Sequence, residues 1–486
     1  MNSNLRAGIS ILLSQALILS SVSCAARTTK PQVPLQPAVF NPLREALQKS
    51  YLDLFKEAPT LEFSPQQIEQ MREYLKQSRE YCVDQFKEHA KEHDKDLERV
   101  QARLKSDSAR LNESQRHELH CQIQNLRALK SQAEVLANQA IPVAYENKSA
   151  KLELIEKWPD EFRAIKARIE DGSYHSRQWG DVKDIGFREV GKGQEEDVKD
   201  GQEAIRQMKQ AGLLPPEVEN QQVRDYVRSL AEKIAAKSDL RVPVKVTVLN
   251  SKEVNAFALP GGFLFIQRGL LESAEDESQL AGVIAHEIAH AAARHGNRLM
   301  KRATVSSIIY QAAQIAALVL TGGAVGVGAY YALQYGFYGL GLVLSLNLLG
   351  VSREFELEAD QLGVQYAWNS GYDTSGFIRF FDKMATREGY VNGASWFRTH
   401  PPFYSRMVKS QEEILYLPKK EGLIQQSTAF KEMKKELEKV SQKAKEEEKD
   451  RPSLLAPEKG CPPPEKIEYQ PGQPIETLCR LPQKIE

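Results

Sequence analysis

The run His286-Glu287-Ile288-Ala289-His290 restricts what this chain can fold into more than any other segment. On an α-helix, residues four apart share a face. Both imidazoles therefore reach one metal ion only if the run is helical. Glu287, directly after the first histidine, can then approach a water beside that ion from one side. Ala281, Val283, Ile284, Ala285, Ile288 and Ala289 surround the run, so the helix is expected to be buried and the metal to sit in a dry wall. The competing reading is a pair of histidines hydrogen-bonded to backbone on a buried helix.

A tetrahedral catalytic zinc takes three protein ligands and keeps one position open. A third histidine six residues after the second, with a glycine three after it, would give one class of site. Gly296 and Ala293 stand there instead, so that class fails. His295 is one residue short and reads as a capping or packing residue. The alternative is a glutamate on a later helix, and Arg353-Glu354-Phe355-Glu356-Leu357-Glu358-Ala359-Asp360 offers candidates. Glu356 and Asp360 are four apart and share a face. Glu356 suits the metal, while Asp360 suits the N–H of a liganding histidine, whose ring it would orient. A solvated helix face is the competing reading for these acids. It is weakened by the apolar stretch just before them.

Several ordered motifs then carry a resemblance. Leu213-Leu214-Pro215, Asn255-Ala256-Phe257-Ala258-Leu259-Pro260-Gly261-Gly262 and Arg268-Gly269-Leu270-Leu271 precede the histidine run; Glu356-Leu357-Glu358-Ala359-Asp360, Thr399-His400-Pro401-Pro402 and Arg406 follow it. Over roughly residues 185–415 the chain resembles the HtpX/BepA-like zinc metalloendopeptidases, a family that also includes the CAAX-processing endoproteases. The resemblance implies one Zn2+ per chain held by His286, His290 and Glu356. It implies Glu287 as the general base that activates the zinc-bound water, and Asp360 behind the ligands. It also implies an active-site role for His400, supported by Arg406. His400 would either donate to the developing oxyanion or occupy the open metal position in a resting state. The helical repeats that often follow the peptidase domain in BepA-like members are not seen after Arg406, so partner recognition is not carried over. Asn255, Ala256, Phe257 and Ala258 would form an exposed sheet edge beside the metal, where an extended substrate adds by backbone hydrogen bonds. A strand internal to the sheet is the competing reading.

The flanks say where such an enzyme would work. Arg6 followed by the uncharged run Ala7–Ser23 reads as a secretory signal. The run ends Leu19-Ser20-Ser21-Val22-Ser23-Cys24, which resembles a bacterial lipobox with Ser21 in place of the usual leucine; Cys24 would carry the lipid, and ordinary cleavage near Ala25 or Ala26 competes. Cys82, Cys121, Cys461 and Cys479 remain, an even number for an oxidising compartment. The pairing expected is Cys461 with Cys479, closing a short Pro-rich loop, and Cys82 with Cys121 across two helices. Ile68, Met71, Leu75, Cys82 and Phe86, then Leu119, Ile123, Leu126, Ala133 and Leu136, recur at helical steps. Turn-formers near Ser106, Ser108 and Asn112 separate the two runs. Residues 303–352 hold no charged residue and eight glycines. Two membrane spans would fit that length, but the glycines and Gln311, Gln314, Gln334 and Asn347 favour helices packed on the protein or dipping into a bilayer surface. Residues 431–451 carry 15 charges. Phe430, Met433, Leu437, Val440 and Ala444 still mark one apolar edge of a solvated helix.

Charge and hydropathy exclude two classes. Lys plus Arg and Asp plus Glu both number 65, which gives no basic footprint for nucleic acid. A mean hydropathy of −0.47 excludes a polytopic membrane protein. The expected architecture is α+β and mostly helical, a gluzincin-type metallopeptidase core with a small sheet, preceded by a helical hairpin or bundle. Its parts are a signal peptide over 1–23, a linker over 24–40, a helical domain over 41–176, the zinc metallopeptidase domain over 177–415 and a charged helix with a Pro-rich tail over 416–486. The expected activity is hydrolysis of peptide bonds in unfolded or misassembled envelope proteins. The expected location is the periplasmic face of a bacterial membrane, reached through the lipid and residues 303–352. An envelope chaperone or assembly factor with a latent or unused protease site is the alternative.

Overall fold

Two long helices form the first landmark. Pro65–Ser106 (α3) is capped by Ser64, whose hydroxyl accepts from the Gln67 amide while the Gln67 side chain accepts from the Ser64 amide. Asn112 and Gln115 repeat that reciprocal cap at Glu113–Val135 (α4), so the polar turn around residues 107–111 ends one helix and starts the next. Ile68, Met71, Leu75, Cys82 and Phe86 are buried on α3, and Leu119, Ile123 and Ala133 on α4, as the spacing predicts. The computed structural model describes residues 41–210, 214–300, 353–388, 404–450, 460–462, 465, 478 and 479. All of these fall within one unit, Pro34–Glu486. The signal and linker with Cys24, the apolar stretch 303–352 and His400 lie outside them.

Two short helices, Asn41–Gln48 (α1) and Tyr51–Glu57 (α2), precede the hairpin, and Ile141–Glu170 (α5) follows it. Polar contacts join this helical region to helices later in the chain. Lys151 is almost fully buried on α5. Its ammonium donates to the Lys49 carbonyl at 2.6 Å and lies 3.1 Å from Asp382, and the Tyr51 amide donates to the same carboxylate at 3.2 Å. The Tyr404 hydroxyl donates to Glu161 at 3.1 Å.

The four cysteines pair, but crosswise to the expectation. Cys82 joins Cys479 and Cys121 joins Cys461, with Cα separations of 5.2 and 5.3 Å. A hairpin turning near residue 109 places Cys82 about 15 residues further from the turn than Cys121, an axial offset of about 22 Å. A disulfide tolerates only about 4–7 Å between Cα atoms. The tail lies along α4 instead of closing on itself. The Glu465 amide donates to Asn125 Oδ1 at 2.8 Å, and Gln132 donates to the Glu465 carbonyl at 2.9 Å. Replacing Cys82 and Cys479 together with alanine is expected to cost about 2–4 kcal/mol, read as a lower denaturant midpoint. An unchanged midpoint would mean that the tail is not tied there.

The remaining elements surround a small sheet. Asp197–Gln210 (α6) and Gln221–Ala235 (α7) lead to strands Lys245–Leu249 (β1), Ala256–Leu259 (β2) and Phe263–Gln267 (β3). The order is β1-β3-β2, parallel between β1 and β3 and antiparallel between β2 and β3. Gly261 and Gly262 turn the β2–β3 hairpin at φ of 82° and 80°, a region open to glycine at little cost. Arg268–Ser273 (α8), Glu277–Ala292 (α9) and His295–Met300 (α10) follow, then Arg353–Asn369 (α11), Ser375–Glu388 (α12), Tyr404–Tyr416 (α13) and Thr428–Asp450 (α14). The apolar edge of α14 docks as its sequence predicts, with Phe430, Met433, Leu437 and Ala444 buried. Lys434 on α14 donates to the carbonyls of Leu271, Glu272 and Ala274 at 2.8–2.9 Å, a cation at the C-terminal end of α8. Among the described residues, no helix is long and apolar enough to cross a membrane.

Candidate metal centre

Helix α9 is buried along nearly its whole length, and Asp276 caps its start by accepting from the Gln279 amide at 2.9 Å. The sequence-predicted face forms: His286 and His290 bring their Nε2 atoms within 3.0 Å of each other. Helix α11 packs across α9 and contributes Glu356. Its Oε1 lies 3.3 Å from His290 Nε2 and its Oε2 lies 3.6 Å from His286 Nε2. Nitrogen and oxygen ligands at about 2.0–2.1 Å in a tetrahedron stand about 3.3 Å apart. The separations are of that size, and the donor set of two imidazoles and a carboxylate suits one zinc ion.

The close approach of the two helices depends on Gly363. A Cβ built there would lie 2.9 Å from His286 Cα. Gly363→Ala is expected to push α11 off α9 and cost about 1–3 kcal/mol. It should also weaken metal binding, a combination that thermal unfolding with and without zinc reads directly. A variant as stable and as zinc-responsive as the parent would refute the tight crossing.

Asp360 stands where it can orient a ligand, with Oδ1 3.0 Å from His286 Nδ1. An Nδ1 proton held by that carboxylate leaves Nε2 as the lone-pair atom facing Glu356. Arg406, on α13, is fully buried and grips both acids. It donates to the two Asp360 oxygens at 2.6 Å each and lies 2.8 Å from Glu356 Oε2. Burial alone would raise the Asp360 carboxyl, but Arg406, aided by His286, holds it below its usual range. Burial would likewise lower the Arg406 guanidinium, and Asp360, Glu356 and Glu287 outweigh it. Arg406 thus supports the ligand helix from behind. Glu287 is buried on α9 next to His286. Strand β2 is the edge of the sheet, yet Asn255, Ala256 and Phe257 are buried and only Ala258 is partly open, so the exposed edge expected there is mostly covered.

A third imidazole enters the site that the sequence did not assign to it. Arg294, two residues past the end of α9, adopts a left-handed conformation, φ 57°. It is held there by a paired contact with Asp197, including Nε to Oδ2 at 2.7 Å. This reversal returns the chain so that His295 Nδ1 lies 2.8 Å from His290 Nδ1. His295 is no helix cap. Its ring stacks on Phe355 at 4.5 Å, and its Nε2 lies 3.1 Å from Glu358 Oε2. Burial, only partly offset by Glu358, holds its pKa down to about 4.

The sequence that builds this site is similar to known proteins. Residues 217–414 fit the model of peptidase family M48. The chain carries an M48 peptidase domain. The mitochondrial metalloendopeptidase OMA1 of Schizosaccharomyces pombe is 32% identical over 190 residues, 38% of this chain and 52% of that protein. The beta-barrel assembly-enhancing proteases of Yersinia pestis and Escherichia coli K12 are 27% and 25% identical over 208 and 221 residues, covering 42% and 44% of this chain and 40% and 43% of those proteins. The chain thus spans about half the length of these curated relatives, or less. M48 peptidases are zinc metallopeptidases, and the M48 domain here brings together His286, His290 and Glu356, which could hold the ion.

Proposed function

We propose that this chain is a zinc-dependent endopeptidase of the bacterial envelope that cuts unfolded or misassembled proteins. The observation that carries the reading is the convergence of two imidazoles and one carboxylate with Glu287 on the same buried helix wall. Zinc bound there would polarise a substrate carbonyl and make a water more acidic. Glu287 accepts a proton from the attacking water and returns it to the leaving amine. Asp360 holds the His286 proton at Nδ1, and Arg406 keeps Glu356 and Asp360 in register. His400, outside the described residues, is assigned by the family resemblance either to the developing oxyanion or to the open metal position. Two disulfides favour an oxidising compartment. That fits export by the N-terminal signal and a lipid on Cys24, with residues 303–352 against the membrane. The similarity to beta-barrel assembly-enhancing proteases supports the choice of envelope proteins as substrates.

Purified mature chain loaded with zinc should fragment a denatured model protein, and a chelator should stop it until zinc is restored. Failure of the zinc-loaded chain to cut would leave the chaperone or assembly reading. In cells, a zinc-site variant should slow the degradation of misassembled envelope proteins, and an unchanged rate would remove that substrate class.

A further inference from the structure

His295 and Glu358 have no place in the chemistry above, yet His295 is buried against the ligand His290 and the partly exposed Glu358 holds its far side. Each proton in the array can be assigned by counting donors and acceptors. An ionised carboxylate only accepts hydrogen bonds. Glu358 Oε1 accepts from Trp179 Nε1 at 3.3 Å, and Oε2 accepts from Arg298 Nη1 at 3.2 Å and from His295 Nε2 at 3.1 Å. A His290 that ligates metal through Nε2 carries its proton on Nδ1, so the facing His295 Nδ1 is bare and the single N–H of that ring sits at Nε2, toward Glu358. His295 Nδ1 is then an acceptor only. The atom facing it at 2.8 Å, His290 Nδ1, is the donor. With its one proton on Nδ1, His290 keeps its lone pair on Nε2, the atom that converges with His286 and Glu356.

We infer that Glu358 and His295 are positioning residues that act in series to fix the His290 tautomer and ring angle for metal binding. His286 obtains the same service from Asp360 directly, whereas His290 receives it through an intervening imidazole. Two features point to a built array. The left-handed Arg294 spends backbone strain to bring His295 back onto His290. Trp179, itself at φ 56°, reaches Glu358 from the segment that precedes α6. The inference rests on the metallopeptidase reading, because a tautomer matters here only if a metal binds.

The test measures zinc affinity of the full mature chain by competition with a chromophoric chelator, and the visible spectrum after cobalt substitution. His295→Phe keeps the stacking on Phe355 but removes the acceptor. It is expected to bind zinc about 10–100-fold more weakly and to change the cobalt bands. His295→Asn places a carbonyl oxygen near the lost Nδ1 and should recover most of the affinity and the parent spectrum. Glu358→Met frees His295 to adopt either tautomer and should weaken binding about tenfold. A folded His295→Phe protein with parental affinity and cobalt spectrum would make His295 a packing residue and overturn the inference. Should His295→Phe not fold, an unchanged Glu358→Met protein overturns it equally. A parent chain that takes up no zinc overturns the metallopeptidase reading itself, which is a separate result.

Discussion

Glu287→Gln is expected to lower kcat about 10²- to 10⁴-fold while leaving zinc affinity near that of the parent. Glutamine has the shape of glutamate and suits the same buried position on α9, so the helix and both histidines stay in place. What it loses is the ability to accept a proton from water. Arg406 loses one neighbouring negative charge but keeps its two bonds to Asp360. Matched zinc titrations and single-turnover cleavage separate binding from proton transfer. Equal cleavage by parent and variant would assign the base elsewhere.

Arg406→Leu is expected to cost the metal-free chain about 3–5 kcal/mol, because it leaves Glu356 and Asp360 buried without their cation. Urea unfolding would show it, and zinc should narrow the gap by returning positive charge beside Glu356. The pH dependence supplies a second sign. In the parent, Asp360 is depressed below its ordinary 3.8, so its stabilisation is fully present above about pH 4 and is lost as pH falls through the lower folded value. Without Arg406 the buried pair is pushed the other way, and stability should fall as pH rises through the raised folded value. A variant with the parental pH slope would mean that Arg406 does not govern the pair.

Much of the metal centre is legible in the sequence because its parts are local. His286 and His290, and Glu356 and Asp360, are each separated by one helical turn, so spacing alone places them on common faces. The pairing of α9 with α11 is not local, but a buried histidine face leaves few partners, and a helix rich in acids is one of them. His295 escaped because its role depends on a left-handed arginine, a conformation that spacing rules reserve mainly for glycine. Glu358 then looked like one more acid of α11. The small sheet was expected, whereas the burial of its β2 edge depends on helix packing that sequence alternation does not encode. The cysteines misled for a related reason. Proximity in sequence favoured Cys461 with Cys479, but the path of the tail along α4 is a tertiary fact.

That tail has a consequence for an enzyme that can cut chains. Cys82 and Cys121 lie in one arm and Cys461 and Cys479 in the other, and each bridge runs between the arms. A single nick anywhere between residues 121 and 461 leaves two fragments still covalently joined. Self-cleavage in that interval would leave the mass changed only by one water and would separate as two bands on a gel only after thiols are added.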